Sequence, residues 1–169
     1  MSSILLIIAS RNYQDVELAG TMKGLAEKGF TVTIASTVKG VCSGKFGGKT
    51  IADIALKDVK VDDFERIAFI GGPGAEVLKD DQEALRIAKE AVAKGKVLGA
   101  ICIAPVILAV AGVLQGKKAT VWDADGEQAR FIESCGATFT GEAVTVDGQI
   151  VTANGAPAAE KFGRTLASL

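Results

Sequence analysis

A cysteine stands at position 102 in the run Val97-Leu98-Gly99-Ala100-Ile101-Cys102-Ile103-Ala104-Pro105-Val106-Ile107-Leu108. The apolar stretch 97–101 predicts a short buried strand. Residues 104–114 predict a helix with Pro105 in its first turn, where a missing N–H costs little. Cys102 therefore falls at a strand-to-helix turn, the place where nucleophile elbows expose a sulfur or a hydroxyl. A helix N-terminus favours an anion, so the expectation is a thiol with a lowered pKa. The competing role is packing, because free cysteines are commonly buried as small hydrophobes.

Two other segments carry candidate groups. Glu17 ends the stretch Ser10-Arg11-Asn12-Tyr13-Gln14-Asp15-Val16-Glu17, near the start of a helix predicted over 15–28 whose buried face should hold Val16, Leu18 and Leu25. A carboxylate there serves either a site or only the helix dipole. Gly71-Gly72-Pro73-Gly74 follows a strand predicted at 66–70. It reads as a tight turn, or as backbone that cradles an anion, although the Gly-Lys-Ser/Thr of a P-loop is absent. The chain contains no histidine. That rules out a Ser-His-Asp or Cys-His pair and a His-containing zinc site within the chain. General acid–base work falls to a carboxylate, Lys, Tyr, Cys or water.

The elements that must position these groups alternate. Strands are predicted at 4–9, 31–35, 66–70, 97–101 and 118–122. Helices are predicted at 15–28, 81–94 (with Leu85, Ala88 and Val92 on one face), 104–114, 128–134 and about 157–169. Gly29 and Gly95 close the first two helices. This βαβ alternation of apolar strands argues a mostly parallel sheet flanked by helices, a flavodoxin-like α/β sandwich. Residues 41–55 read as a small β excursion. Asp147-Gly148 between alternating β-formers predicts a hairpin over 142–153. In such sheets, sites form beyond the carboxyl ends of the strands, where the three candidate segments all lie.

Composition narrows the function. With 169 residues, 49% of them hydrophobic, one compact domain over 1–169 is expected. A net charge of −1 without a basic block argues against nucleic acid and an anionic membrane surface. The apolar runs are too short to span a bilayer, and the first reads as a strand, not a signal peptide. Cys42, Cys102 and Cys135 show no metal-like pair spacing, and free thiols in a reducing cytoplasm are the simplest expectation. Cys42 and Cys135 are expected to be packing thiols.

Asp15-Val16-Glu17, the Gly71-Gly72 turn and Ala100-Ile101-Cys102-Ile103-Ala104-Pro105 resemble the motifs of the ThiJ/PfpI superfamily, which includes the parkinsonism-associated deglycase and archaeal intracellular proteases. Thr31-Val32-Thr33-Ile34-Ala35-Ser36 and Asp147-Gly148-Gln149-Ile150-Val151-Thr152-Ala153-Asn154-Gly155 extend the likeness over nearly the whole chain. The resemblance implies Cys102 as nucleophile, Glu17 as its carboxyl partner, and the backbone N–H groups of Gly72 and Ile103 as an oxyanion pocket. It implies cysteine chemistry on a small reactive carbonyl compound, of the glutathione-independent glyoxalase or deglycase type, without a cofactor or metal. It also implies a homo-oligomer, with a dimer favoured. The alternatives are a redox sensor or stress chaperone with an oxidisable Cys102, and, last, a cysteine peptidase.

The chain departs from the pattern in two places. Protease-like members carry His directly after the cysteine, where Ile103 stands here. Deglycase-like members carry His where Trp122 stands, and Trp122 is either pocket wall or core. Glu76 matches an acidic position of protease-like members, and without a histidine partner it is expected to be a solvated surface charge.

Overall fold

The structure is a computed structural model that describes residues 2–169. In chain order the strands and helices are β1 (Ser3–Ile7), β2 (Arg11–Tyr13), α1 (Asp15–Ala26), β3 (Thr31–Ser36), β4 (Gly40–Gly44), β5 (Lys49–Ala52), β6 (Ile54–Ala55), β7 (Arg66–Phe69), α2 (Gln82–Ala93), β8 (Val97–Ile101), α3 (Pro105–Val110), β9 (Lys118–Ala119), α4 (Glu127–Ser134), β10 (Thr138–Phe139), β11 (Val144–Asp147), β12 (Ile150–Ala153) and α5 (Ala159–Ser168). Short 3-10 helices occupy Leu56–Asp58, Val61–Asp63, Pro73–Asp80 and Ala156–Ala158.

The main sheet runs β11-β12-β8-β7-β1-β3-β6. All neighbours are parallel except β11 and β12, which form the antiparallel hairpin. Strand alternation divides its side chains between two cores. Leu5, Ile7, Ile67, Phe69, Leu98 and Ala100 face the layer that holds α2 and α3. Ile4, Leu6, Ala68, Ile70, Val97 and Ile101 face Leu18 and Leu25 of α1 and Phe162 and Leu166 of α5. Both faces are covered, which is why the central strands are apolar throughout. β1 lies between β3 and β7, so the chain reverses its direction of sheet growth there. The crevice at such a switch point opens beyond the carboxyl ends of β1, β7 and β8.

The sandwich expected from the alternation is present, with local corrections. The helix expected over 104–114 stops at Val110, because Gly112 turns the chain with φ 80° and returns its N–H to the Ala109 carbonyl. The strand expected over 118–122 pairs only through Lys118 and Ala119 with β10, outside the main sheet. Beyond them, the Thr120 N–H donates to the Thr152 side chain of β12 and the Trp122 N–H to the Cys102 carbonyl, so these amides do not join a strand ladder. The hairpin register places Asp147 opposite Ile150, making Gly148 and Gln149 the turn residues. Val16 and Val92, expected on buried helix faces, are 53% and 39% exposed. The excursion over 41–55 is a separate sheet of β2, β4 and β5, and β6 then rejoins the main sheet beside β3.

Candidate functional site

Cys102 follows the last residue of β8 with φ 64°, one of two non-glycine residues at positive φ among those described. A non-glycine residue in this region costs on the order of 1–3 kcal/mol and persists only where its surroundings hold it. Here both backbone groups are held. The Cys102 N–H donates to the Ala153 carbonyl at 2.9 Å, and the Cys102 carbonyl accepts from the Trp122 N–H at 2.8 Å. The kink turns the sulfur out of the sheet and over the crevice, as an elbow requires.

Glu17 comes from the first turn of α1, yet it is only 1% exposed. Its neighbour Val16 takes the solvent side. The face that buries Leu18, Thr21 and Leu25 carries Glu17 inward as well. The carboxylate finds a partner there: the Gly71 N–H donates to Glu17 Oε2 at 3.0 Å. The Gln14 side chain caps α1 by accepting from the Val16 N–H at 2.7 Å, and the Gln14 N–H donates to the Gly71 carbonyl at 2.9 Å. Helix start and glycine turn are thus tied together, which sets the depth at which Glu17 enters.

The glycine turn has no spare room. A Cβ on Gly71 would lie 2.6 Å from Cys102 Cβ and 2.7 Å from Glu17 Oε2. Gly72 has φ 110°, and a Cβ there would meet Asn12 O at 2.6 Å. Only a residue without a side chain lets this backbone pass between sulfur, carboxylate and the segment after β1.

Burial pushes the Glu17 carboxyl up to about 7, against the opposing pull of the Cys102 hydrogen bond, the Gly71 amide and the Lys45 charge. The expected lowering of the Cys102 pKa does not hold. Burial, and then the charge and hydrogen bond of Glu17, push the thiol up to about 12, while the Ile103 and Gly72 amides pull the other way. The helix that was to stabilise a thiolate begins only at Pro105 and spans six residues, too short and too distant to dominate. Two anions do not share this buried space. The acidic proton of the pair sits on Glu17, and a thiolate at neutral pH requires that proton to stay between them.

The structure therefore brings Cys102, Glu17, Gly72 and Ile103 together at one cavity of ≈ 660 Å³. Trp122 joins its wall and is 44% exposed, so it is not a core residue. Glu76 stands at the same cavity with an exposed side chain 3.6 Å from Lys79. Cys42 is fully buried in β4 and Cys135 half-buried at the end of α4, both away from the cavity. Sequence reasoning missed Lys45 and Gln128, which also line the cavity. The signal for Lys45 was its place in Gly44-Lys45-Phe46-Gly47-Gly48, a turn too glycine-rich to be only a strand connection. Gln128 carried no local signal.

A model of the DJ-1/PfpI family matches residues 2–169. An uncharacterized protein of Methanocaldococcus jannaschii is 37% identical over 163 residues, covering 96% of this chain and 79% of its own. A protein of Pyrococcus abyssi named as a deglycase is 33% identical over 147 residues, covering 87% of each chain. The crystal structure of a ThiJ/PfpI domain protein from Brachyspira murdochii superposes with a TM-score of 0.93 at 30% identity, covering 98% of this chain and 94% of that one.

Proposed function

Because the chain belongs to the DJ-1/PfpI family, we propose that it converts small reactive carbonyl compounds through Cys102, in chemistry of the glyoxalase or deglycase type. The observation that carries this is the pairing of Cys102, held at φ 64°, with a buried Glu17 carboxyl whose proton is balanced near neutrality. A general acid–base near the working pH is the useful kind.

The steps balance on an α-oxoaldehyde such as methylglyoxal. Glu17 takes the thiol proton as sulfur adds to the aldehyde carbon. The carbonyl oxygen gains the electron pair and is met by the N–H groups of Gly72 and Ile103 before it takes a proton, giving a hemithioacetal. Glu17 next moves the carbon-bound proton of the former aldehyde to the neighbouring carbonyl carbon through an enediol. The first carbon becomes a thioester and the second an alcohol. Water hydrolyses the thioester, releasing lactate and the thiol. No external oxidant or reductant enters.

With no histidine in the chain, amide cleavage lacks the usual acid for its poor leaving group, and peptidase activity is ranked last. The same proton on Glu17 also supports a redox role. A protonated carboxyl and two amides would hold a Cys102 sulfinate. Methylglyoxal consumption and lactate formation in thiol-free buffer, with a quenched peptide alongside, test the proposal. Turnover in wild type and none in Cys102→Ala supports it. Turnover retained in Cys102→Ala removes the mechanism, and peptide cleavage without aldehyde conversion reverses the ranking.

A further inference from the structure

We infer that Lys45 anchors a carboxylate at the far end of the substrate, so that the preferred compounds are 2-oxo aldehydes bearing a terminal carboxylate. This rests on the carbonyl chemistry proposed for Cys102 and names its substrate class. Lys45 lines the same cavity as Cys102 and Glu17. Its ammonium makes no salt bridge among the described residues. It lies 5.3 Å from the centre of the Phe46 ring, and its charge pulls the Glu17 carboxyl toward the ionised form. Because burial outweighs that pull and keeps Glu17 protonated up to about 7, Lys45 is left available for a ligand anion.

Its backbone is not left to wander. Asp15 reaches across from the start of α1, and its two carboxylate oxygens accept from the Phe46 and Gly48 N–H groups, both at 2.8 Å. The Lys45 N–H donates to the Tyr13 carbonyl at 2.8 Å. A Cβ on Gly44 or Gly48 would collide with that carboxylate, so the glycines of this turn leave room for the clamp. The turn that carries Lys45 is thereby bolted to the element that carries Glu17.

A second observation points to a polar ligand. Gln128 lines the cavity, and its Oε1 is buried without a hydrogen-bond partner. A buried acceptor left unpaired carries a desolvation cost that a ligand hydroxyl would relieve. The carbinol O–H formed when sulfur adds to an aldehyde is a group of that kind. The anion is a carboxylate and not a phosphate for two reasons. One ammonium matches one negative charge, and Glu76 on the same cavity repels a dianion more strongly than a monoanion.

Two α-oxoaldehydes of equal chain length separate the idea from its premise. These are 4,5-dioxopentanoate, which carries the carboxylate, and neutral 2-oxopentanal. Wild type should show a KM about 5-fold lower for the carboxylate, the scale of one partly exposed ion pair, with kcat similar for the two. Lys45→Met should erase that preference, with the effect of losing the Lys45 charge on Glu17 falling equally on both aldehydes, Lys45→Arg should restore most of it, and added salt should weaken it. Equal KM values in wild type, with turnover dependent on Cys102, overturn the Lys45 assignment and leave the carbonyl chemistry standing. If neither aldehyde is converted, that chemistry fails. The anchor is then read by whether levulinate, but not neutral 2-pentanone, slows iodoacetamide labelling of Cys102 in wild type and not in Lys45→Met. Absence of that protection overturns the anchor as well.

Discussion

Glu17→Gln should change how stability depends on pH, and the size follows from burial. In the folded protein the carboxyl is pushed from an ordinary 4.5 up to about 7. As pH rises, the unfolded chain loses this proton near 4.5, whereas the folded chain keeps it until about 7. In that interval the folded state binds more protons, so stability falls as pH rises and stays lower above it. The loss corresponds to about 3 kcal/mol, at 1.36 kcal/mol per pH unit. Glutamine keeps an acceptor for the Gly71 N–H but has no proton to lose. The variant should therefore gain about 3 kcal/mol on wild type between pH 4.5 and pH 8, whatever constant offset the substitution adds. Urea unfolding at fixed protein concentration, followed by circular dichroism and by the single tryptophan, measures the difference at each pH. Staying below pH 8 keeps thiol ionisation in the unfolded chain out of the comparison. A stability difference that does not vary with pH would refute the placement of a titrating carboxyl in this pocket.

Three further outcomes follow from the same geometry. Alkylation of Cys102 in wild type should stay slow through pH 7, because the proton lost there leaves Glu17 and its carboxylate pushes the thiol up. Glu17→Gln removes that charge, so the variant should label faster than wild type between about pH 7 and pH 10, which mass spectrometry of labelled peptides reads out; equal rates would separate Glu17 from the sulfur. Gly71→Ala should destabilise the protein by about 1–3 kcal/mol through overpacking, because the new methyl meets Cys102 Cβ and the Ile101 carbonyl within 2.7 Å. Carbonyl turnover should fall roughly 100-fold as Glu17 is pushed from the sulfur, and near-normal kcat would show that their spacing is not critical. Gln128→Met removes the buried unpartnered oxygen. It should leave the free protein equally stable or about 1 kcal/mol more so while raising KM, and a loss of stability in urea with KM unchanged would make Gln128 a structural residue.

The α/β sandwich was legible because strand hydrophobicity is a local property. Strands buried on both faces must be apolar throughout, and 97–101 is exactly matched by β8. The elbow at Cys102 was legible because a strand, one cysteine and a proline-started helix leave it no other place in the chain. Gly71 and Gly72 were legible as a turn, and the resemblance to known motifs joined the three segments before any distance was known. Glu17 shows where local information ends. The face expected to hold Leu18 and Leu25 is buried, and the helical period places Glu17 on it and Val16 outside; that a carboxylate is tolerated there is explained by the Gly71 amide at 3.0 Å, a partner no local pattern shows. The thiol pKa failed for the same reason: a helix start suggests a lower value, but burial and the facing carboxylate arise from packing between α1 and β8. The strand expected at 118–122 stops after Ala119 because the next amides, of Thr120 and Trp122, found Thr152 Oγ1 and the Cys102 carbonyl, partners far along the chain. Types and order of residues decide which segments form and bury, since those depend on neighbours in sequence. Protonation, side-chain aim and the company of Lys45 depend on groups brought together by folding, and those only the tertiary structure decided.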